Sequence, residues 1–239
     1  MVGLLIGSFV ATIVTRFGSG KSAIGGRSRC DRCGVTIGAS RLVPVVSFLQ
    51  QRGMSACCRT RIDHVHPLAE LLAAGIGTVS ALFSFPLALA GAVFGWLLLT
   101  LALIDARHFR LPDPIVALLA GTGVAASLAL GAPSLVNSLI GLVAGFVALE
   151  AVRLLYRRFR GRDGIGRGDP KMFAATGAWL GWEALPGVLL VAALAGLAFA
   201  LASRVTARQI GWSDRLPLGT LLAIAAWPSW LVWIGYLAR

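Results

Sequence analysis

The chain has 239 residues, 57% of them hydrophobic and only 13% charged, with a net charge of +12 and a mean hydropathy of +0.80. Soluble domains carry roughly 25% charged residues, so the composition excludes an ordinary globular protein and points to a polytopic membrane protein. The positive charge invites a nucleic-acid reading, but its distribution excludes that too.

The apolar runs, in chain order, are Met1–Val14, Pro67–Phe83, Pro86–Ile104, Ile115–Leu130, Leu135–Leu155, Lys171–Leu180, Ala184–Leu201 and Gly219–Leu237. The first lacks a basic start and a small-residue cleavage pattern, so it is expected to stay as a span. The connectors alternate in charge. Nine Lys/Arg fall in 15–65, two in 105–114, seven in 153–171 and three in 202–216, with none around Ser84, 131–134 or 181–183. Strict alternation is what the positive-inside rule demands of about eight spans, with both ends facing away from the cytoplasm. The charge therefore encodes topology, and no nucleic-acid partner is expected. The partner is membrane lipid. Only Lys171–Leu180 strains the count, since ten residues reach roughly 15 Å against a core of about 30 Å. A half-span or broken helix is expected there.

The predicted fold is an all-α bundle of about eight transmembrane helices with a small cysteine-containing cytoplasmic domain between the first two. Its parts are residues 1–14, a first span; 15–65, the cytoplasmic domain; and 66–239, the membrane catalytic domain. About fifty residues bury little core alone, so a metal staple or packing on the membrane domain is expected for 15–65. Tryptophans 179, 182, 227, 230 and 233 cluster as interfacial belts do.

Two aspartates sit where apolar runs meet basic segments: Asp105 in Leu103-Ile104-Asp105-Ala106-Arg107, and Asp169 in Gly166-Arg167-Gly168-Asp169-Pro170-Lys171. An ordinary structural reading exists for each. Asp105 could cap the helix starting near Pro112 or pair with Arg107 or Arg110. Asp169 could be an N-cap, with Pro170 at the first helical position. Carboxylates at a membrane boundary are costly and functional by default, however. Both fall on connectors assigned to one membrane side, and the glycines at 161, 164, 166 and 168 permit close backbone approach. Two carboxylates about 3 Å apart share one proton, one acting as base and its partner as acid, which is the equipment of an aspartic protease.

These motifs carry a resemblance. Gly166-Arg167-Gly168-Asp169-Pro170-Lys171, followed by Ala174-Ala175-Thr176-Gly177-Ala178-Trp179-Leu180-Gly181, looks like the second signature of bacterial type IV prepilin peptidases, which are Gly-x-Gly-Asp intramembrane aspartic proteases. Ile104-Asp105 through Leu111-Pro112-Asp113 looks like the first signature. Gly7-Ser8-Phe9, Cys30-x-x-Cys33, Pro44-x-x-Ser47, Arg52-Gly53 and His66-Pro67-Leu68-Ala69-Glu70 extend the likeness over essentially the whole chain. The resemblance implies catalysis by Asp105 and Asp169, with Gly166, Gly168, Lys171, Asp113 and Glu70 in supporting positions. It implies a multi-pass enzyme of the bacterial inner membrane, with its active site near the cytoplasmic face. There it would remove the short basic leader of prepilins and pseudopilins, after a glycine, in pilus assembly and type II secretion. Many members also methylate the new N-terminus with S-adenosylmethionine. A basic cytoplasmic surface does not attract a basic leader, so recognition is expected to rest on the apolar pilin segment or on local acids.

Cys30-x-x-Cys33 and Cys57-Cys58 offer four ligands for a structural zinc. The family pattern would put cysteines at 55 and 58. Here position 55 is serine, so the set becomes Cys30, Cys33, Cys57 and Cys58, with His64 or His66 as alternatives. Because the family ties methylation to this domain, Ser55 bears on the second activity. Glu150 is expected to pair with Arg153, and Lys171 to bias Asp169 or reach the interface. Two rival functions remain: an aspartic protease with another substrate, and an ion-coupled transporter lined by Asp105 and Asp169. A transporter should show interrupted spans in both halves, and only one break is visible.

Overall fold

The computed structural model describes residues 1–19, 25, 29–30, 32–38, 42–162, 164–205 and 217–237. The basic connector expected over 202–216 lies outside them from 206 onward, as does Arg239. Within the described residues the chain is all helical, with two isolated β-bridges as its only extended pairing. The helices are α1 (Val2–Arg16), α2 (Val46–Gln50), α3 (Val65–Ser80), α4 (Phe85–His108), α5 (Asp113–Leu130), α6 (Leu135–Arg160), α7 (Asp169–Leu180), α8 (Leu185–Val205) and α9 (Leu218–Leu237). By length and composition α4, α5, α6 and α8 can each cross a bilayer, while α1 and residues Leu218–Trp233 of α9 are shorter apolar helices. This is a polytopic helical membrane protein. Large apolar side chains such as Val136, Leu139, Ile140, Val143 and Phe146 on α6 are exposed, as a lipid-facing surface requires.

The chain divides into two compact units, Met1–Thr100 and Leu101–Arg239. In the first, α1 and α3 meet backbone to backbone. A Cβ added at Gly3 would lie 2.6 Å from the Ala73 carbonyl oxygen, and one at Gly7 would lie 2.4 Å from the Glu70 Cα. Membrane helices lack a hydrophobic drive toward one another, so small residues that let backbones touch supply much of the attraction. The Trp96 indole N–H adds a bond to the Ala73 carbonyl at 2.9 Å.

The second unit is built around α7. This helix is twelve residues long, about 18 Å, and too short to cross a bilayer. Every residue of it except Lys171 is buried. The expected half-span is thus a helix enclosed by protein, which is where a short membrane helix can satisfy its ends. Gly141 on α6 and Gly177 on α7 make the closest approach, each Cβ position lying within 2.3 Å of the other's carbonyl oxygen. Gly145 continues the contact at Phe173, and the Ser138 hydroxyl donates to the Ala178 carbonyl at 2.7 Å. On the other side, the Trp179 indole N–H donates to the Leu119 carbonyl of α5 at 2.8 Å, its ring seated against Gly123. This corrects the belt reading for two tryptophans: Trp179 and Trp230 are interior, 2% and 1% exposed, and the gap at Gly123 receives the Trp179 ring.

Candidate active site and cysteine cluster

Three chain segments of the second unit build the candidate site. Asp105 closes the last turn of α4, which ends where Phe109 adopts a left-handed φ of 49° and its N–H returns to the Asp105 carbonyl at 2.9 Å. Leu111 follows. A Cβ at Gly168 would meet the Leu111 Cβ at 2.8 Å, and one at Gly219 would meet its Cδ1 at 3.1 Å. Leu111 therefore wedges between the entry to α7 and the entry to α9, and neither glycine can carry a side chain without displacing it. Glycine at 166 serves the acid directly: the Gly166 N–H donates to Asp169 Oδ2 at 2.9 Å, and an added Cβ there would lie 2.9 Å from the same oxygen.

Asp169 is not the cap of α7. Gly168 holds that position, and the Asp169 carboxylate folds back over the glycine turn. Nor does Asp105 cap α5, whose N-cap is Pro112. Its Oδ2 accepts the Thr220 N–H at 2.9 Å, with the Thr220 hydroxyl 3.4 Å away and donating more closely to the Ala102 carbonyl at 2.9 Å. Both carboxylates are buried, 5% and 6% exposed. Burial, together with the negative charge of Asp105, pushes the pKa of Asp169 up to about 7. That electrostatic coupling is the signature of two acids that cannot both ionise at once.

The structure sets Gly166 against Asp169 and Gly168 against Leu111, and beside Asp105 it adds Gly219 and Thr220, which the sequence reading missed. Their signal was present but faint: a Gly-Thr pair opening an otherwise apolar run. Lys171 turns away from Asp169 and pairs with Asp113 through an exposed Nζ–Oδ1 contact of 2.7 Å. This corrects the expectation that Lys171 biases Asp169, since the side chain of the third helical residue points off the opposite side of the turn. Glu150 pairs with Arg153 as expected, Oε2 accepting from Nε at 2.8 Å.

Glu70 lies in the first unit. It is 5% exposed, and its Oε2 accepts the Val45 N–H at 2.6 Å. The same unit gathers the cysteines. Bridges Arg29↔Thr36 and Met54↔Arg61 close two short turns that carry Cys30 and Cys33, and Cys57 and Cys58. The four sulfurs lie within 4.8 Å of one another, with Sγ–Sγ separations of 3.2 Å for Cys33–Cys57, 3.7 Å for Cys30–Cys58 and 3.8 Å for Cys57–Cys58. Zn–S bonds of about 2.3 Å give a tetrahedron with edges of about 3.8 Å, so the set fits a tetrahedral thiolate metal centre. The adjacent pair is accommodated because Cys57 turns to Cys33 and Cys58 to Cys30. Ser55, at the position where a cysteine was expected, sits 3.0 Å from the Cys57 sulfur. The backbone of Cys33 leads in holding the Cys30 thiol down to about 6. His64 and His66 stand outside the cluster.

A multi-pass helical membrane protein that buries two coupled aspartates, one on a Gly-x-Gly-Asp turn, has the make-up of an intramembrane aspartic peptidase. The comparisons narrow this to a family. Residues 92–201 match the type IV leader peptidase family, and residues 1–84 match the bacterial peptidase A24 N-terminal domain. The chain belongs to the type IV leader peptidase family. Among relatives named prepilin leader peptidase/N-methyltransferase, it is 36% identical to that of Aeromonas salmonicida (strain A449), over 87% of this chain and 71% of the relative. It is 39% identical to that of Burkholderia pseudomallei (strain K96243), over 82% and 64%. Against that of Pseudomonas aeruginosa the identity is 33%, over 100% and 90%. No solved structure matches the chain.

Proposed function

We propose that this protein is an intramembrane aspartic endopeptidase that removes the leader of prepilins and pseudopilins, with Asp105 and Asp169 as its catalytic pair. The observation that carries the assignment is the mutual placement of the two acids: each is buried, each is anchored by a backbone N–H, and the charge of one raises the pKa of the other. The ionised member of the pair takes a proton from water as the oxygen adds to the scissile carbonyl carbon. The protonated member hydrogen-bonds the carbonyl oxygen and then supplies the proton that lets the amine leave. One shared proton serves both steps. The anchoring N–H of Gly166 and that of Thr220 leave each carboxylate its remaining lone pairs for water and substrate.

Gly166, Gly168 and Gly219 support the pair by close approach, and Thr220 orients Asp105. The Lys171–Asp113 pair is exposed and belongs to the rim. The alternating charge of the connectors supports a cytoplasmic-face site in the bacterial inner membrane. The relatives' shared name supports N-methylation of the new N-terminus with S-adenosylmethionine as a second activity. The sulfur geometry supports a structural zinc held by Cys30, Cys33, Cys57 and Cys58, which would staple a segment too small to stabilise itself. Neither the transporter reading nor a different protease substrate is favoured by any feature of the site.

The decisive experiment presents a full-length prepilin in proteoliposomes to the wild type and to Asp105→Asn and Asp169→Asn. Each variant is expected to insert normally and to leave the leader attached. Normal processing by either variant would remove the catalytic assignment. Metal analysis tests the zinc separately, with about one equivalent expected per chain and its loss in Cys33→Ser.

A further inference from the structure

The second unit holds a cavity of about 220 Å³ at the opposite end of α7 from Asp169, about 18 Å along the helix. Two helices end at it: α5 on Gly131, with φ 69°, and α7 on Gly181, with φ 78°. Helix C-termini carry partial negative charge on their unpaired carbonyls. Gly181 also sets the end of α7 against the α5–α6 turn, since an added Cβ would meet the Pro133 Cβ at 3.5 Å and the Asn137 Cβ at 3.8 Å. Glu183 adds a full negative charge to the wall, and the Trp182 and Trp233 rings line it. Among the described residues Glu183 makes no hydrogen bond or ion pair, and no Lys or Arg lines the cavity. The start of α6 reaches the wall too, but it is already capped, the Asn137 N–H donating to Ser134 Oγ at 3.3 Å. An unpaired carboxylate beside two indole rings supplies the elements of an ammonium site.

The surroundings point to a lipid as the occupant. Val136 on α6 and Val232 on α9 are the chain neighbours of the lining residues Asn137 and Trp233, and they are 64% and 74% exposed. Leu139 and Ile140 continue that apolar surface along α6. Acyl chains lying on it would bring their headgroup to the cavity, and indoles favour the same boundary, with one end apolar and the other wet. Charge then selects the headgroup. The connectors at this end, 131–134 and 181–183, hold no Lys or Arg, so an anionic headgroup would meet only the repulsion of Glu183. The other end of α6 is the reverse, with Arg157, Arg158 and Arg160 in its last turn.

We propose that this cavity binds the ammonium headgroup of a zwitterionic phospholipid, with Glu183 as its counter-ion and Trp182 and Trp233 as its aromatic walls. The ammonium gains from the carboxylate and from the ring faces, and both attractions strengthen where water is partly excluded. Asn137 and Ser134 supply neutral donors for the lipid phosphate. A lipid held there joins the ends of α5 and α7 to the start of α6 and to α9, because the wall draws on all four. The site does not depend on the peptidase assignment.

The test is native mass spectrometry of the detergent-purified full chain with added dioleoyl-phosphatidylethanolamine or dioleoyl-phosphatidylglycerol. The second lipid is the control, because the arginines at the other end of α6 suit its anionic headgroup. Wild type is compared with Glu183→Gln, Glu183→Lys and Trp182→Leu, and melting curves check that each is folded. Either Glu183 variant carries the test alone if another does not fold. Glu183→Gln should lower retention of phosphatidylethanolamine about fivefold and leave phosphatidylglycerol unchanged. Trp182→Leu should lower phosphatidylethanolamine about threefold. Glu183→Lys should abolish the phosphatidylethanolamine adduct and add one of phosphatidylglycerol. Unchanged retention of phosphatidylethanolamine in the Glu183 variants would overturn the site and leave the cavity to a cationic protein segment. An equal fall for both lipids in Glu183→Gln would overturn the headgroup selection. Glycerophosphoethanolamine, which has the headgroup without the chains, should compete weakly, and competition as strong as that of the intact lipid would overturn the lipid as occupant.

Discussion

In the C-terminal unit Asp169 is buried with a second carboxylate as its electrostatic neighbour, whose negative charge makes it costly to ionise both. In the N-terminal unit Glu70 is equally buried, but its neighbours are an amide, a hydroxyl and an open cavity. Burial of the acid is common to both, so burial does not define either role. The company does. Two acids confined together make each other's ionisation costly, whereas Glu70, among the described residues, is held by neutral donors and anchors the start of α2 at Val45. The scaffolds differ less than the sites. Each unit sets its acid on a helix that touches its neighbour through glycine, Gly7 behind Glu70 and Gly177 at the far end of the Asp169 helix.

The largest effects expected are those that break the aspartate pair. Asp105→Asn and Asp169→Asn should each lower leader cleavage by about 10²–10⁴-fold. The double variant should be no worse than the poorer single one, because a shared proton fails as a unit. Additive losses in single-turnover cleavage would mean the two acids work independently. The next effect is on pH. Cleavage needs one protonated carboxyl, and the group pushed up to about 7 is Asp169. Activity should therefore fall about tenfold per unit as pH rises above that value and the shared proton is lost. A cleavage profile flat from pH 7 to 9 would contradict the coupling.

Smaller effects probe the scaffolds. Gly177→Ala places a Cβ 2.2 Å from the Gly141 carbonyl oxygen, and Gly7→Ala places one 2.4 Å from the Glu70 Cα. Each should cost about 1–3 kcal/mol by overpacking, read as a lowered thermal midpoint in detergent. An unchanged midpoint for Gly177→Ala would show that α6 and α7 can separate at no cost. Least of all, Thr220→Val removes a hydroxyl 3.4 Å from Asp105 but keeps the 2.9 Å amide bond, so cleavage should drop only a few-fold. A loss as large as that of Asp105→Asn would make the hydroxyl an essential part of the site.

Much of this molecule was legible in the linear chain. The apolar runs gave the helices, because a bilayer accepts few alternatives to a continuous hydrogen-bonded helix. Asp105 and Asp169 stood out because carboxylates at such boundaries are expensive. Glu150 and Arg153, three residues apart on one helix, were readable as a pair for the same local reason.

What the sequence could not contain were choices between neighbours of nearly equal merit. Lys171 had Asp169 two residues away, yet it took Asp113, fifty-eight residues off, because helical geometry turns it from the former. Thr220 is the partner of Asp105 although 115 residues separate them, with Leu111 packed at both Gly168 and Gly219 beside them. Cys57 and Cys58, cramped as neighbours in sequence, reach different partners across two facing turns. Sequence alone thus determined which groups were costly to place, since that cost depends on residue type and membrane depth. Tertiary structure decided which of them meet, because only the packing of distant helices through their glycines sets the distance between one charge and the next.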